Sequence, residues 1–465
     1  MTTDRFPISR RVGRALRRFV RGLLKGLVAL VLLLAVGWTV LNLWWGHELT
    51  QRLEALQASG QPLTVSEMMP PDFPDSQNAA VLYREAVDLP AAGLTNDALD
   101  YHKHNDPAHE QAAGTLLASP EAKQRLARAE RAAALPACVW LPRLEGKDGE
   151  YWFSRTRSLV QLAALQSVWL ARHGQPDEAL HWTAVGIRMA RHAGMYPTTV
   201  GLLVECADSA ITLVPAQEVI GANRAGAAAR QELAAALAAV DLNQVLAVAL
   251  RRSMADRLER FEERRSGRGP SVDLRSSEVA EGMFAKAGLP GVGSALWRLY
   301  YSPLGRPLVA LDEGTYIDLV PQAQAAAALP SAEGHRLLAR MEPRLPRWRW
   351  LASGTTLALP EYVFAPLKRD AALANVDLCR LTLALQDYRE SHGQYPDTLD
   401  KLSATDSRLH LTDPFSGKPY VYRREGPGFL VYSFGPDMVD DGGTPNVDEK
   451  GKYHETGDIV WRCAK

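Results

Sequence analysis

The residues best suited to chemistry lie near the C-terminus, where Asp437, Asp440, Asp441 and Asp458 alternate with Gly435, Gly442 and Gly443. Carboxylates on a flexible backbone suit a hard cation. Calcium takes about six to eight oxygens at tolerant geometry, and glycine lets a loop turn its carbonyls inward. The expected calcium ligands are therefore Asp437, Asp440, Asp441 and Asp458, with the Ser433 carbonyl as a further oxygen. The ion's role would be structural, closing a loop too acidic to close by itself. An EF-hand does not fit, because Val439 occupies loop position 3, where a ligand is needed, and no helices are expected on either side. The competing reading is a solvated acidic turn, since residues 444–456, rich in turn-forming and charged side chains, separate Asp458 from the others.

A second cluster is Tyr101-His-Lys-His-Asn-Asp-Pro-Ala-His-Glu110. Imidazole is the commonest transition-metal ligand, so His102, His104, His109 and Glu110 form a candidate site, whereas Asn, Asp and Pro among them favour a plain polar loop. No G-x-S-x-G, H-E-x-x-H, G-x-G-x-x-G or P-loop pattern occurs. The expected class is thus non-enzymatic, of structural or interaction type; the alternative is a periplasmic hydrolase with a scattered site in the helical region. Cys138, Cys206, Cys379 and Cys463 are too scattered for a disulfide framework; one bridge, Cys379 to Cys463, or four idle thiols are both compatible with the spacing.

The elements that position these residues start with a membrane anchor. Lys plus Arg and Asp plus Glu number 53 each, so no global field favours nucleic acid. Eight cations from Arg5 to Lys25, against the single acid Asp4, instead precede an uncharged apolar stretch, residues 27–45. Roughly 20 apolar residues cross a bilayer, flanking cations stay in the cytoplasm, and Trp44 and Trp45 lie where interfacial aromatics settle. The expectation is a single-pass bacterial inner-membrane protein with residues 1–26 cytoplasmic, lipid contact through residues 27–45 and the bulk periplasmic. A cleaved signal peptide is disfavoured because no small-x-small site follows.

Residues 46–77 read as a linker containing Met69-Pro-Pro-Asp-Phe-Pro74, and residues 78–265 as an irregular α-helical domain. Leu159, Leu162, Ala163, Trp169 and Leu170 recur at helical steps, His173-Gly-Gln-Pro176 breaks the run, and a second helix carries Trp182, Val185, Ile187 and Met189. This hairpin resembles a tetratricopeptide unit, without a second copy at a fixed period. Residues 266–366 form a loop-rich connector with short helices, whose Tyr300-Tyr-Ser-Pro-Leu-Gly305 and Arg344-Leu-Pro-Arg-Trp-Arg-Trp350 either graze a membrane surface or pack on the helices.

From Leu367 a fresh helix is expected along Ala374, Leu378, Leu381, Leu385 and Tyr388, stopped by Gly393. Two alternating strands about Glu425-Gly-Pro-Gly428 follow, giving a small antiparallel sheet. The order of helix, Gly393-Gln-Tyr-Pro396, Asp413-Pro-Phe-x-Gly-x-Pro-Tyr-x-Tyr422, Gly428-Phe-x-x-Tyr-Ser-x-Gly-x-Asp437, Gly442-Gly443 and Asp458-Ile459 resembles the globular head of the type II secretion major pseudopilin. That resemblance, over residues 367–465, implies an α+β module and a calcium loop that includes Asp437 and Asp458. Pseudopilins also carry a peptidase site with glutamate at the fifth position of the membrane helix. Here Gly26-Leu27 is followed by Val31, and a whole helical domain precedes the head. Filament assembly is therefore not expected. The chain looks like a mainly α membrane protein with an unknown envelope partner, accessory to secretion or envelope assembly.

Overall fold

The computed structural model describes residues 8–68, 73–89, 95–102, 106–140, 152–222, 224–268, 291, 298–341, 353–403, 406–447, 454 and 456–463. The structure is mainly helical, with one small sheet. It divides into two compact units, one of Met1–Leu63, Arg257–Leu319 and Pro346–Leu357, the other of Thr64–Asp256, Val320–Leu345 and Ala358–Lys465. This grouping crosses the boundaries expected at residues 77, 265 and 366.

The first unit is built on helix α1, Ile8–Ala58, which runs without a break where the sequence suggested a span and a separate short helix. Gly46 is the residue between them, and one helical glycine costs only about 1 kcal/mol relative to alanine. Leu27, Leu30, Leu33, Leu34 and Val36 are all 53–70% exposed, whereas Leu49 and Leu56 are buried. The helix thus changes from apolar all round to packed on one side. Near its C-terminal end Arg52 pairs with Asp318 at 3.3 Å, passing over Gly314, where a Cβ would lie 2.4 Å from the guanidinium. Trp38 donates its indole N–H to the Leu304 carbonyl at 2.9 Å, and Leu304 itself is exposed.

Among its described residues the second unit has two large cores, beside a small cluster of Leu430, Tyr432 and Phe434. Helices α2 (Ala79–Asp88), α3 (Asn96–Leu99), α4 (Pro107–Ala118), α5 (Pro120–Ala133) and α6 (Trp152–Arg172) bury Tyr83, Ala98, Leu116, Leu126, Leu159 and Leu162 together. The expected hairpin is α6 followed by α7, Pro176–Gly194, with Gly174 at φ 77° in the turn and Pro176 opening the second helix. Helices α8 (Thr199–Gly221) and α9 (Ala227–Ala238) extend it.

The other core joins this helical body to the tail. Leu180, Ile187, Leu213, Ile220 and Leu233 from α7 to α9 pack with Leu378, Leu381, Leu385, Phe429, Val431 and Trp461 in one cluster. Residues 367–465 are therefore not a free-standing module. Their helix, Ser353–His392, also begins earlier than expected and passes straight through Pro366. Proline disfavours helix at the preceding residue without forbidding it, and Pro215 and Pro321 likewise sit inside helices here. Gly393, at φ 75°, ends the helix as expected. Three antiparallel strands follow in the order β1 (Val421–Glu425), β2 (Gly428–Ser433) and β3 (Ile459–Cys463), with β2 central and buried throughout. Gly426, at φ 57°, followed by Pro427 gives the two-residue hairpin the dihedral signs of a type II′ turn.

Among the described residues, three helical stretches are long enough and contain an 18-residue window apolar enough to cross a membrane: Arg17–Ala58, Thr199–Gly221 and Ala227–Ser266, with window mean hydropathies of 2.3, 1.4 and 1.9. The sequence reading singled out only the first. All four cysteines are buried and none is in a disulfide, Cys379 and Cys463 included.

Candidate functional site

The acidic loop joins β2 to β3. After Ser433 the chain turns at Gly435 (φ 71°) and Met438 (φ 61°), then at Gly442, Gly443 and Gly457, all with positive φ. Gly435 is required twice over: besides its φ, a Cβ there would stand 2.4 Å from the Gly457 carbonyl oxygen. The backbone of Asp458 is bonded to Thr444 and Asn446, which pins the loop to the start of β3.

The four aspartates are brought into this one loop, and the described contacts of their carboxylates are mainly to backbone donors. Asp437 accepts from the Val439 and Gly457 N–H groups, each at 3.2 Å. Asp440 accepts from the Tyr432 hydroxyl at 2.8 Å and the Gly442 N–H at 3.0 Å. Asp458 is fully buried and accepts from Gly443 N–H at 2.7 Å and, at longer range, from Asp441 N–H. Burial raises the Asp458 pKa, the two N–H donors oppose that shift, and the neighbouring Asp440 and Asp441 charges add to it. The Ser433 hydroxyl turns away, donating to Asp413 at 2.6 Å. The donor chemistry is that of a calcium loop, all hard oxygen. Among the described residues, however, no three His, Cys, Asp or Glu side chains converge at metal-binding spacing.

The histidine cluster separates into local roles. Asp106 caps α4 by accepting from the Ala108 and His109 N–H groups, and the His109 ring lies 2.7 Å from the same carboxylate. Glu110 instead approaches His173 at 3.5 Å. His104 and the side chain of His102 lie outside the described residues, as do 344–350.

A second site was not anticipated. It is a cleft of about 420 Å³ lined by the helix Ser353–His392, the turn at 328–330 and the extended segment 409–414. Asp370 and Asp377 occupy the buried side of that helix, four residues before Ala374 and Leu381. Asp370 accepts from Arg369 Nε at 2.6 Å and from the Ser331 hydroxyl; burial, outweighing both partners, pushes its pKa up to about 6. The Arg369 guanidinium also donates to the Ala327 and Leu329 carbonyls, at 2.8 and 3.1 Å. Asp377, almost wholly buried, accepts from the Tyr420 hydroxyl at 3.2 Å and pairs with His410 Nδ1 at 3.2 Å. The hydrogen bond to Asp377 raises the His410 pKa, helped by Asp241 and opposed by partial burial and Arg380. Asp413 takes four donors: Ser433 and Ser416 hydroxyls and the Phe415 and Ser416 N–H groups. The only sign of this cleft in the sequence is the pair of acids on the apolar side of a helix. His410 lies 33 residues beyond Asp377 on another element, a pairing that spacing does not reveal.

Comparison with protein families, curated proteins and solved structures returns no match.

Proposed function

We propose that this chain is an envelope protein of structural or interaction type, held in the bacterial inner membrane by α1, with its bulk periplasmic and its tail serving as a pseudopilin-like head. The observation that carries this is α1 itself: none of the residues in its 18-residue window of greatest hydropathy is buried, and cations cluster on its N-terminal side. An all-apolar exposed helix is stable in lipid and a liability in water. The other two apolar stretches differ, being 61% and 39% buried within the protein. Thr199–Gly221 also carries the buried acids Glu205 and Asp208. It is read as a core helix, and α1 as the single anchor.

Calcium is proposed to stabilise the head, held by Asp437, Asp440, Asp441 and Asp458 in some combination with loop carbonyls, after small movements that bring the carboxylates onto one ion. Because the tail shares its core with the helical body, the test uses the whole chain in detergent. A ligand at about 100 times its Kd adds roughly 2.7 kcal/mol to folding stability. Thermal unfolding with millimolar calcium is expected several degrees above that with chelator, and Asp458→Asn should abolish the difference. Identical melting in the two conditions removes calcium from the proposal. Carbonate extraction of membranes tests the anchor: the chain should stay in the pellet, and release into the supernatant would refute integral insertion. For the role itself, site-specific photocrosslinking from the exposed Val439 in intact cells should capture a defined envelope protein; an uncrosslinked monomer at native expression refutes an interaction role for the head.

A further inference from the structure

We infer that the cleft beside Asp377 binds a compact organic cation, an ammonium on a short apolar stem, with Asp377 as its counter-ion and His410 as the side chain it displaces. Most charges in the cleft are already committed. Arg369 is fully engaged by Asp370 and by two carbonyls at the C-terminal end of helix Arg306–Ala327, so the one guanidinium in the wall offers nothing to an anion. Asp413 is held by four donors from its own turn and strand. Asp377 is different. One oxygen has the neutral Tyr420 hydroxyl, and the other has His410, whose side chain is 62% exposed while that of Asp377 is only 6% exposed. A buried carboxylate whose second partner is a surface imidazole is left short of positive charge when that imidazole swings into water.

The walls select against a bare ion. Leu373, Leu409, Leu411 and Pro414 line the cleft. Among the described residues no three metal-ligating side chains converge. The volume, about 420 Å³, sits within the range of roughly 300–1,000 Å³ typical of small-molecule clefts. Apolar walls around a buried carboxylate held only by a hydroxyl and a surface imidazole are the recognition elements of an alkylammonium: the stem removes apolar surface from water and the head group takes the place of the imidazole.

The same chemistry is offered by a free amine and by a lysine side chain in a peptide. Two probes separate them, hexylammonium and Nα-acetyl-lysine methylamide, with hexanol as the neutral control. Saturation-transfer NMR titration with the full chain in detergent should show saturable binding of at least one cation and none of hexanol; the probe that binds more tightly identifies the source. Asp377→Asn should weaken binding at least tenfold. His410→Ala, at an exposed position where folding should be unaffected, removes the competitor and should tighten binding several-fold. Absence of saturable binding by both cations, equal binding of hexanol, or unchanged affinity in folded Asp377→Asn overturns the inference. Should Asp377→Asn fail to fold, unchanged or weaker binding in His410→Ala overturns it as well.

Discussion

Glu205 is the residue whose placement has the sharpest consequence. It lies on α8 against Gly194, where a Cβ would sit 1.7 Å from its carboxylate, and neither of its carboxylate oxygens has a hydrogen-bond partner among the described residues. Burial pushes its pKa from 4.5 up to about 8; Arg191 opposes the shift, while Asp241 and Asp208 add to it. Asp208 behaves alike, reaching about 7 although Arg157 stands 3.3 Å away. The sign follows from proton counting. Between pH 4.5 and 8 the folded chain retains a proton on Glu205 that the unfolded chain releases, so stability falls as pH rises through that window and is lowest above it. At about 1.4 kcal/mol per pKa unit the loss amounts to several kcal/mol. Glu205→Gln, uncharged at every pH, should therefore melt well above wild type at pH 9 and close to it at pH 4. Denaturant unfolding at the two pH values measures this, and a pH-independent difference would mean that Glu205 is not buried as a neutral acid. Such residues are hard to read in a sequence, because Glu205 and Asp208 sit in an otherwise apolar run whose buried side only tertiary packing defines. The acidic loop was easier, since its glycines mark backbone turns directly.

Elements were legible where local chemistry decides them. The α6–α7 hairpin follows from apolar spacing and a Gly-Gln-Pro break, and the β1–β2 turn from Gly426-Pro427. The helix start at Pro366 was misread, because a proline signal is statistical and packing on both sides overrides it. The shared core was invisible, since Leu213 and Trp461 are joined only by the fold. That sharing makes two element-scale predictions. Leu381→Ala removes a fully buried side chain from the common cluster and should cost about 2–5 kcal/mol. Limited proteolysis should then cut the helical body around α8 and α9 as well as the tail; cleavage confined to the tail would show that the two unfold separately. Gly435→Ala meets both a positive φ and the Gly457 carbonyl, so it should cost at least 1 kcal/mol, whereas Gly393→Ala has open space and strains φ alone. Comparing the two midpoints isolates the close approach between the loop's ends, and equal losses would assign no cost to that contact.

For the whole molecule, the proposed single-pass topology rests on how three apolar stretches are treated by their surroundings. Hydropathy alone selects all three; exposure separates them, because no residue of the apolar window of α1 is buried while 61% of the window in Thr199–Gly221 is. The cation-rich start is what the proposed orientation rests on, since Lys and Arg near a span tend to be retained in the cytoplasm. Single added cysteines can test both points, as the four native thiols are buried and should react slowly with a polar reagent. In intact spheroplasts a membrane-impermeant maleimide should label Ser391→Cys and leave Ser9→Cys unlabelled until the membrane is opened. Val200→Cys and Arg224→Cys flank the apolar run of α8 at exposed positions and should both be labelled from outside. If α8 instead crossed the bilayer, one of the two would be protected. Its Glu205 and Asp208 would then lie at membrane depth, where uncompensated carboxylates cost at least about 2.5 kcal/mol each by insertion scales. Labelling on both flanks keeps those acids within a folded extracytoplasmic core, where protonation suffices to hold them.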